Sequence, residues 1–479
     1  MKNLIPRFIE EKLKNQEDHA QFEAYSMFID LIGFTNLTQT LSKQGSVGAE
    51  ELSIILNRIF DPLVSLVYSH GGFIPYYAGD AFTAIFPSSP HQEALQKLIF
   101  VAQEAGKLYR EQSFLGAFTI GIKIGLAFGD VEWGIVGYNY KSYYFKGSAI
   151  ERSADCQLRA NQQDIVIHRV LHEQLDDPSS STWIESDYFL LTTKDLYSNH
   201  TTVQKNLPDL SEEILAQFLP NNIIYFSERG EFRTVSSVFI SFGNIYTHQQ
   251  LNRFATIVLD TAKNFSGYFK EIDFGEKGGV IPIFFGAPVS YENNAERAIE
   301  FTLSLREELR NVFADSINYK IGITVGTAYT GFIGCKDRCQ YAAVGNCVNL
   351  AARLMTYASN TEVLVDGEIE RIRQYKFKPK GHIRYKGFEG DIPTFVLVGR
   401  NVEDRFTFQG DLVGRREELE KLIRFSMPIF QDRFAGIAYI LGEAGIGKSR
   451  LAYELRKGLF KQQPINWFVC KADQILKRE

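Results

Sequence analysis

The chain repeats itself, and that repeat limits what it can fold into. Glycines at 125, 129, 134 and 137 recur at 322, 326, 331 and 334, each 197 residues later. Their surroundings match too. Ile124-Gly125-Leu-Ala-Phe-Gly129 answers to Ile321-Gly322-Ile-Thr-Val-Gly326, and Gly134-Ile-Val-Gly137 to Gly331-Phe-Ile-Gly334. Four glycines in one register mark a duplicated domain. A chain of 479 residues also exceeds what one ordinary core organises.

Each copy reads as mixed α/β. In the first, 25–32 is a buried strand ending at a Gly-Phe-Thr turn. A helix follows from about Gly48, with apolar Leu52, Ile55, Leu56, Ile59, Leu63 and Val67 at three-to-four spacing, and Gly71-Gly72 stops it. Strands are expected over 73–77 and 81–86, joined by the tight Ala78-Gly79-Asp80 turn. A helix near 91–110 then leads to the glycine-marked strands. The second copy runs in the same order: strand 236–242, helix near 248–265, hairpin near 268–286 and helix near 293–312. This divides the chain into an N-terminal helix (1–19), copy one (20–200), a connector (201–231), copy two (232–400), a linker (401–411) and a third region from 412 to 479.

Composition narrows the function classes. With 45% hydrophobic and 23% charged residues the chain is globular, and its net charge of −5 gives no general footprint for nucleic acid or an anionic membrane. Apolar runs such as 279–289 are too short for a bilayer and are broken by Pro and Gly. The N-terminus lacks the apolar core of a signal peptide. Five cysteines do not make a disulfide framework in a chain this long, so they read as reduced thiols of a cytoplasmic protein. Cys335, Cys339 and Cys347 fit no common zinc spacing.

Two carboxylates stand out in copy one. Asp30 lies near the end of the first strand and Asp80 in the hairpin turn. If those strands are neighbours, the two acids converge at one sheet edge, as hard oxygen ligands suited to Mg²⁺ held together with phosphates. Spacing alone equally allows Asp30 as a helix cap and Asp80 as a turn former. Copy two has Ser241 and Gly279 at these places, so an acid pair kept in only one copy points to a divided task.

Three segments resemble the marker segments of class III adenylyl and guanylyl cyclases: Phe28-Ile-Asp30-Leu-Ile-Gly-Phe-Thr35, Ala78-Gly79-Asp80-Ala, and Val344-Gly-Asn-Cys-Val-Asn349-Leu-Ala-Ala-Arg353-Leu-Met. The tandem arrangement followed by an ATPase start is similar to the soluble adenylyl cyclase group. The resemblance implies two ferredoxin-like, palm-like α+β domains forming a pseudo-twofold pair within one monomer. It implies that Asp30 and Asp80, aided by a backbone carbonyl of Leu31 or Ile32, hold two Mg²⁺ (or Mn²⁺) ions. Asn349 would orient the ribose, and Arg353, one helical turn later, would neutralise charge on the α-phosphate of ATP. Lys277 stands where adenylyl cyclases place a lysine for adenine, whereas guanylyl cyclases usually carry an acid there. The second base-reading position, usually Asp or Thr, is Ala342, which weakens discrimination or leaves it to backbone carbonyls. Lys386 reads either as a contact to the outer phosphates or as a plain surface lysine.

The reciprocal site holds Ser241, Gly279, Glu151 and Asp155, a set that repels a triphosphate. The cations that bind bicarbonate in mammalian-type soluble enzymes are replaced by Tyr76 and Ala154, so no bicarbonate response of that kind is expected. The alternatives are a pair that binds nucleotide without turnover, and a guanylyl cyclase. A cyclic-dinucleotide synthase is disfavoured because no Gly-Gly-acid-acid-Phe segment occurs.

The third region carries Gly442-Glu-Ala-Gly-Ile-Gly447-Lys448-Ser449, a full GxxxxGK[ST] motif after an apolar run (436–441) and before a helix. Its glycines let backbone N–H groups surround phosphates, Lys448 meets the outer ones and Ser449 binds Mg²⁺. The preceding Val-Gly-Arg-Arg-Glu resembles the entry to AAA-like signalling ATPases. Some 30 residues follow the motif, so a downstream ATPase or regulatory region is expected in a longer chain.

Overall fold

The computed structural model describes residues 3–109, 113–114, 118–193, 196–197, 210–226, 230–275, 278–314, 316–401, 412–431, 433–442 and 446–460. The order of elements repeats with the glycines. After α1 (Arg7–Lys14), copy one runs β1 (His19–Ile32), α2 (Phe34–Ser42), α3 (Gly45–Ser69), β2 (Tyr77–Ala78), β3 (Ala81–Pro87) and α4 (His91–Leu108). A small hairpin, β4 (Ser113–Phe114) and β5 (Phe118–Thr119), precedes β6 (Gly121–Val136), β7 (Ser142–Lys146) and α5 (Ser148–Arg159). Copy one closes with β8 (Ile165–His168), α6 (Arg169–His172), β9 (Ser181–Glu185) and β10 (Tyr188–Leu191). The connector contains α7 (Glu212–Phe218) and α8 (Asn221–Ile224).

Copy two runs β11 (Glu231–Gly243), α9 (His248–Asn264), β12 (Tyr268–Phe269), β13 (Asp273–Gly275), β14 (Gly278–Phe285), α10 (Asn294–Phe313), β15 (Asn318–Gly334), β16 (Cys339–Val344) and α11 (Asn346–Tyr357). It ends with β17 (Val363–Asp366), α12 (Gly367–Glu370), β18 (Tyr375–Ile383) and β19 (Ile392–Arg400). Beyond it lie α13 (Arg416–Ser426) and α14 (Lys448–Phe460).

The two sheets have one topology. Copy one orders its strands β2-β3-β1-β6-β8-β10-β9 with β7 on β6; copy two orders them β12-β14-β11-β15-β17-β19-β18 with β16 on β15. In each, the long glycine-bearing strand pairs antiparallel with the first strand and parallel with a later one. The shared glycines have a steric cause. A Cβ on Gly125 would fall 2.0 Å from the Ser153 carbonyl oxygen, and one on Gly322 would fall 2.2 Å from that of Ala351. Only glycine lets α5 and α11 cross their sheets so closely.

The copies share their core. Copy-one residues such as Met27, Ile59 and Tyr77 pack in one cluster with Tyr329, Ile333 and Val344 of copy two. A second cluster joins Ile9 of α1, Trp133, Phe145, Phe284 and Tyr341. Phe8 of α1 stacks on Phe73 (5.1 Å) and meets Trp133 edge-on (5.3 Å). The exchange is reciprocal: α3 packs on β15, α9 packs on β6, and β7 lies against β13. Residues 1–399 therefore form one compact unit and residues 400–479 another. Among the described residues α3 alone is long and apolar enough to cross a bilayer by composition. Its Leu52, Leu56, Ile59, Phe60, Leu63 and Val67 are buried in the core.

Two expected strands differ. The 73–77 strand is reduced to a single bridge, Phe73 to Ile85, plus the two-residue β2. Pro75 has no N–H to give, and the Ile74 and Pro75 carbonyls accept instead from the guanidinium of Arg338. The apolar run at 436–441 forms no ladder, and Ile437, Tyr439 and Leu441 are 71%, 81% and 89% exposed. An α/β strand is stable only when neighbours pair its edges and cover its faces, and no described strand lies beside this one.

Candidate active site

Asp30 and Asp80 meet because of strand register. β1 pairs antiparallel with β3, placing Asp30 opposite Ala81, and the Leu31 amide donates to the Asp80 carbonyl at 3.2 Å. Gly79, at φ +70, makes the turn that delivers Asp80 to this edge. Burial, and then the charge of Asp30, push the Asp80 carboxyl up to about 7. Burial also raises Asp30, against the pull of Lys123 and a 2.8 Å donation from Gln157 Nε2. Among the described residues neither acid is in an ion pair. Burial disfavours the charged form of both carboxylates, Asp30 adds to that at Asp80, and their hard oxygens fit a divalent ion of the Mg²⁺ kind. Leu31 and Ile32 follow Asp30 on the same strand and lead into α2.

Copy two supplies the opposite wall. Gly345, Asn346, Asn349 and Ala352, along one face of α11, line a cleft of about 290 Å³ together with Asp80, Gly79 and Ala78. The start of α2 contributes Phe34 and Thr38. Arg353 continues the Asn349 face one turn later; it is exposed, in no ion pair among the described residues, and outside the cleft lining. Apolar lining comes from Phe232, Phe239, Val280, Pro282, Phe284 and Ala343. The structure thus unites Asp80 and Asn349 and places Asp30 beside Asp80, while Arg353 follows Asn349 on α11.

Other expected residues fall elsewhere. Lys277 lies outside the described residues. Ala342 is buried beneath the cleft wall with 1% exposure, packed in the shared core, because alternation along β16 turns Ala343 to the cleft instead. Lys386 is exposed on the turn after β18 and does not line the cleft.

One group was missed from sequence. Lys270, Glu271 and Asp273 all line the cleft. Lys270 donates to the Tyr77 carbonyl and pairs with Glu271, both side chains being about 5% exposed. Gln340 Nε2 donates to the other Glu271 oxygen at 2.8 Å, and its own oxygen accepts from the Tyr77 amide at 2.9 Å. Burial, then the Glu271 charge, lift Asp273 to about 6, with the Tyr76 hydroxyl facing it. Three titratable side chains within the apolar hairpin around Lys270-Glu-Ile-Asp273 were the available signal.

The mirror-image place is filled. Ser241 pairs with Lys320 as Asp30 pairs with Lys123; the two lysines lie 197 residues apart, so Ser241 and Asp30 are equivalent. A Cβ at Gly279 would fall 2.0 Å from the Phe242 ring. Phe242 meets Phe274 edge-on at 5.6 Å, Phe274 lies 5.7 Å from Tyr144, and Lys146 sits over both of the latter rings. Aromatic side chains occupy the volume that metal and phosphate would need.

The family model for the adenylate and guanylate cyclase catalytic domain matches residues 19–200 and 278–399. The chain belongs to this family. It is 24% identical to adenylate cyclase type 10 of Oryctolagus cuniculus and 23% to that of Homo sapiens, each over 91% of this chain. The chain spans about 30% of the length of those relatives. A solved class III adenylyl cyclase-like ATP-binding protein from Pseudomonas aeruginosa shares the fold over 73% of this chain and 85% of its own, with TM-score 0.53 and 13% identity. Each of the two sheets carries one of the matched stretches.

Gly447, at φ +96, precedes α14, whose first two residues are Lys448 and Ser449. Lys448 Nζ donates to the Gly442 carbonyl at 2.8 Å, closing the loop, while residues 443–445 lie outside the described set. Ile423 of α13 lies against Gly458 of α14.

Proposed function

We propose that the chain is an adenylyl cyclase that converts ATP to 3′,5′-cyclic AMP and pyrophosphate at the single Asp80/Asn349 cleft. The observation that carries this reading is that Asp80 of copy one, with Asp30 beside it, and Asn349 of copy two meet at one cavity, while aromatic rings crowd the reciprocal place. The relatives named adenylate cyclase type 10, similar along nearly the whole chain, support it.

Asp30 and Asp80, with a carbonyl of Leu31 or Ile32, would hold two Mg²⁺ ions. When bound, the metal lowers the pKa of the ribose 3′-hydroxyl and offsets phosphate charge. The 3′-oxygen gives up its proton and bonds to the α-phosphorus as the bond to the pyrophosphate oxygen breaks. Asn349 orients the ribose, and Arg353 donates to the α-phosphate oxygens as their charge grows. Backbone amides at the start of α2 stand ready for the outer phosphates. The apolar end of the cleft takes the purine face, and Lys277 donates to adenine N1.

GTP is the second reading, favoured by one observation. Glu271 and Asp273 line the cleft, and an ionised carboxylate accepts from guanine N1–H and its 2-amino group. Incubating the chain with ATP or GTP and Mg²⁺, and separating the products, tests both. Cyclic AMP from ATP is expected; mainly cyclic GMP from GTP overturns the base assignment, and no product from either leaves a nucleotide-binding module. For the 400–479 unit, we propose phosphate binding by the Gly442–Ser449 loop.

A further inference from the structure

Asp18, His19 and His248 lie far from the cleft, and one ligand atom from each comes within 4.8 Å of the others. His19 opens β1 of copy one, and His248 is the first residue of α9 in copy two. At roughly 3.3 Å per residue, His19 stands roughly 35 Å along β1 from Asp30.

The hydrogen bonds around the pair set which ring nitrogens carry lone pairs. Tyr144 has one hydroxyl proton and donates it to Glu132 at 2.8 Å. Lys146 Nζ pairs with the same Glu132 oxygen at 3.2 Å. The Tyr144 oxygen, 3.2 Å from His248 Nδ1, therefore accepts from that nitrogen, which leaves the lone pair on Nε2. A carboxylate-backed partner behind a histidine is how proteins orient imidazole ligands. His19 Nδ1 lies 2.8 Å from Asp18 Oδ1, which holds that ring and the carboxylate side by side.

We infer that Asp18, His19 and His248 bind a borderline transition-metal dication such as Zn²⁺ or Ni²⁺, tying the first strand of copy one to the α9 start of copy two. Two imidazole nitrogens and one carboxylate favour such an ion over Mg²⁺, and the exposed position leaves its other sites to water. The two rings now stack face to face at 4.2 Å and 3°. A shared ion requires one ring to turn in plane toward it; His19, half exposed, has room to do so, while Tyr144 anchors His248. Because the ion would bridge both copies, it would stabilise their pairing without entering the cleft.

The test is calorimetric titration of Zn²⁺ into untagged protein with Mg²⁺ in excess. One Zn²⁺ equivalent is expected, weakened at least tenfold in His19→Gln and in His248→Gln and reduced in Asp18→Asn. His382→Gln, on exposed β18, serves as a histidine control and should bind as wild type. Zn²⁺ should also raise the melting midpoint of wild type and not of His19→Gln, whose exposed site makes misfolding an unsuitable explanation. Absence of that equivalent in wild type, or wild-type Zn²⁺ binding by both histidine variants, would overturn the inference.

Discussion

Asp80 illustrates how a buried acid strains the fold that holds it. Its carboxyl is pushed up to about 7 by burial and by Asp30, against an ordinary value of 3.8. The folded protein thus takes up a proton that the unfolded chain binds only below about pH 4. Stability from this group is full at low pH and is lost as pH rises through 7. Asp80→Asn has no such charge. In metal-free buffer it should melt several degrees above wild type at pH 8, on the order of 1–3 kcal/mol, with the difference vanishing near pH 4. An equal or lower midpoint at pH 8 would show that the carboxylate is not strained. Motif spacing singled out Asp30, Asp80, Asn349 and Arg353; in the structure Asp80 and Asn349 line one cleft with Asp30 beside Asp80, and Arg353 lies outside that lining. Ala342 was misplaced, since whether a β16 residue faces the cleft or the core depends on the partner copy, which spacing does not encode. Glu271 and Asp273 escaped notice for the same reason: their partners, Gln340 and Tyr76, are distant in sequence.

At the scale of elements, helices and long strands were legible from apolar periodicity, and β6 and β15 stand where the glycines predicted them. The 73–77 segment was not, because Arg338 competes for its carbonyls. That guanidinium is fully buried and donates to the carbonyls of Leu4, Ile74, Pro75 and Cys339 and to the Tyr143 hydroxyl. It therefore knits the N-terminal segment, the copy-one hairpin, β7 and β16 in one place. Arg338→Met removes the donors and strands several buried carbonyls, so chemical denaturation should show a loss of about 3–5 kcal/mol. A loss below about 1 kcal/mol would mean that water or other groups satisfy those carbonyls.

For the molecule as a whole, duplication followed by divergence explains the architecture. Two copies of one sheet topology pair reciprocally, which would create two equivalent clefts. One keeps its acids beside the other copy's Asn349, and its twin is closed by Phe242, Phe274 and Tyr144. The duplicate was visible in the glycine register, whereas the closure needed coordinates, because Ser241 and Gly279 say that ligands are missing and not what fills the gap. The most direct test is the turnover of ATP, with saturating Mg²⁺, by wild type, Asp80→Asn and Arg353→Ala, one residue from each copy. Both variants should lose about a hundredfold or more in kcat while Arg353→Ala still binds a non-reacting ATP analogue. If either variant turns over ATP within about threefold of wild type, the two copies do not share one catalytic cleft.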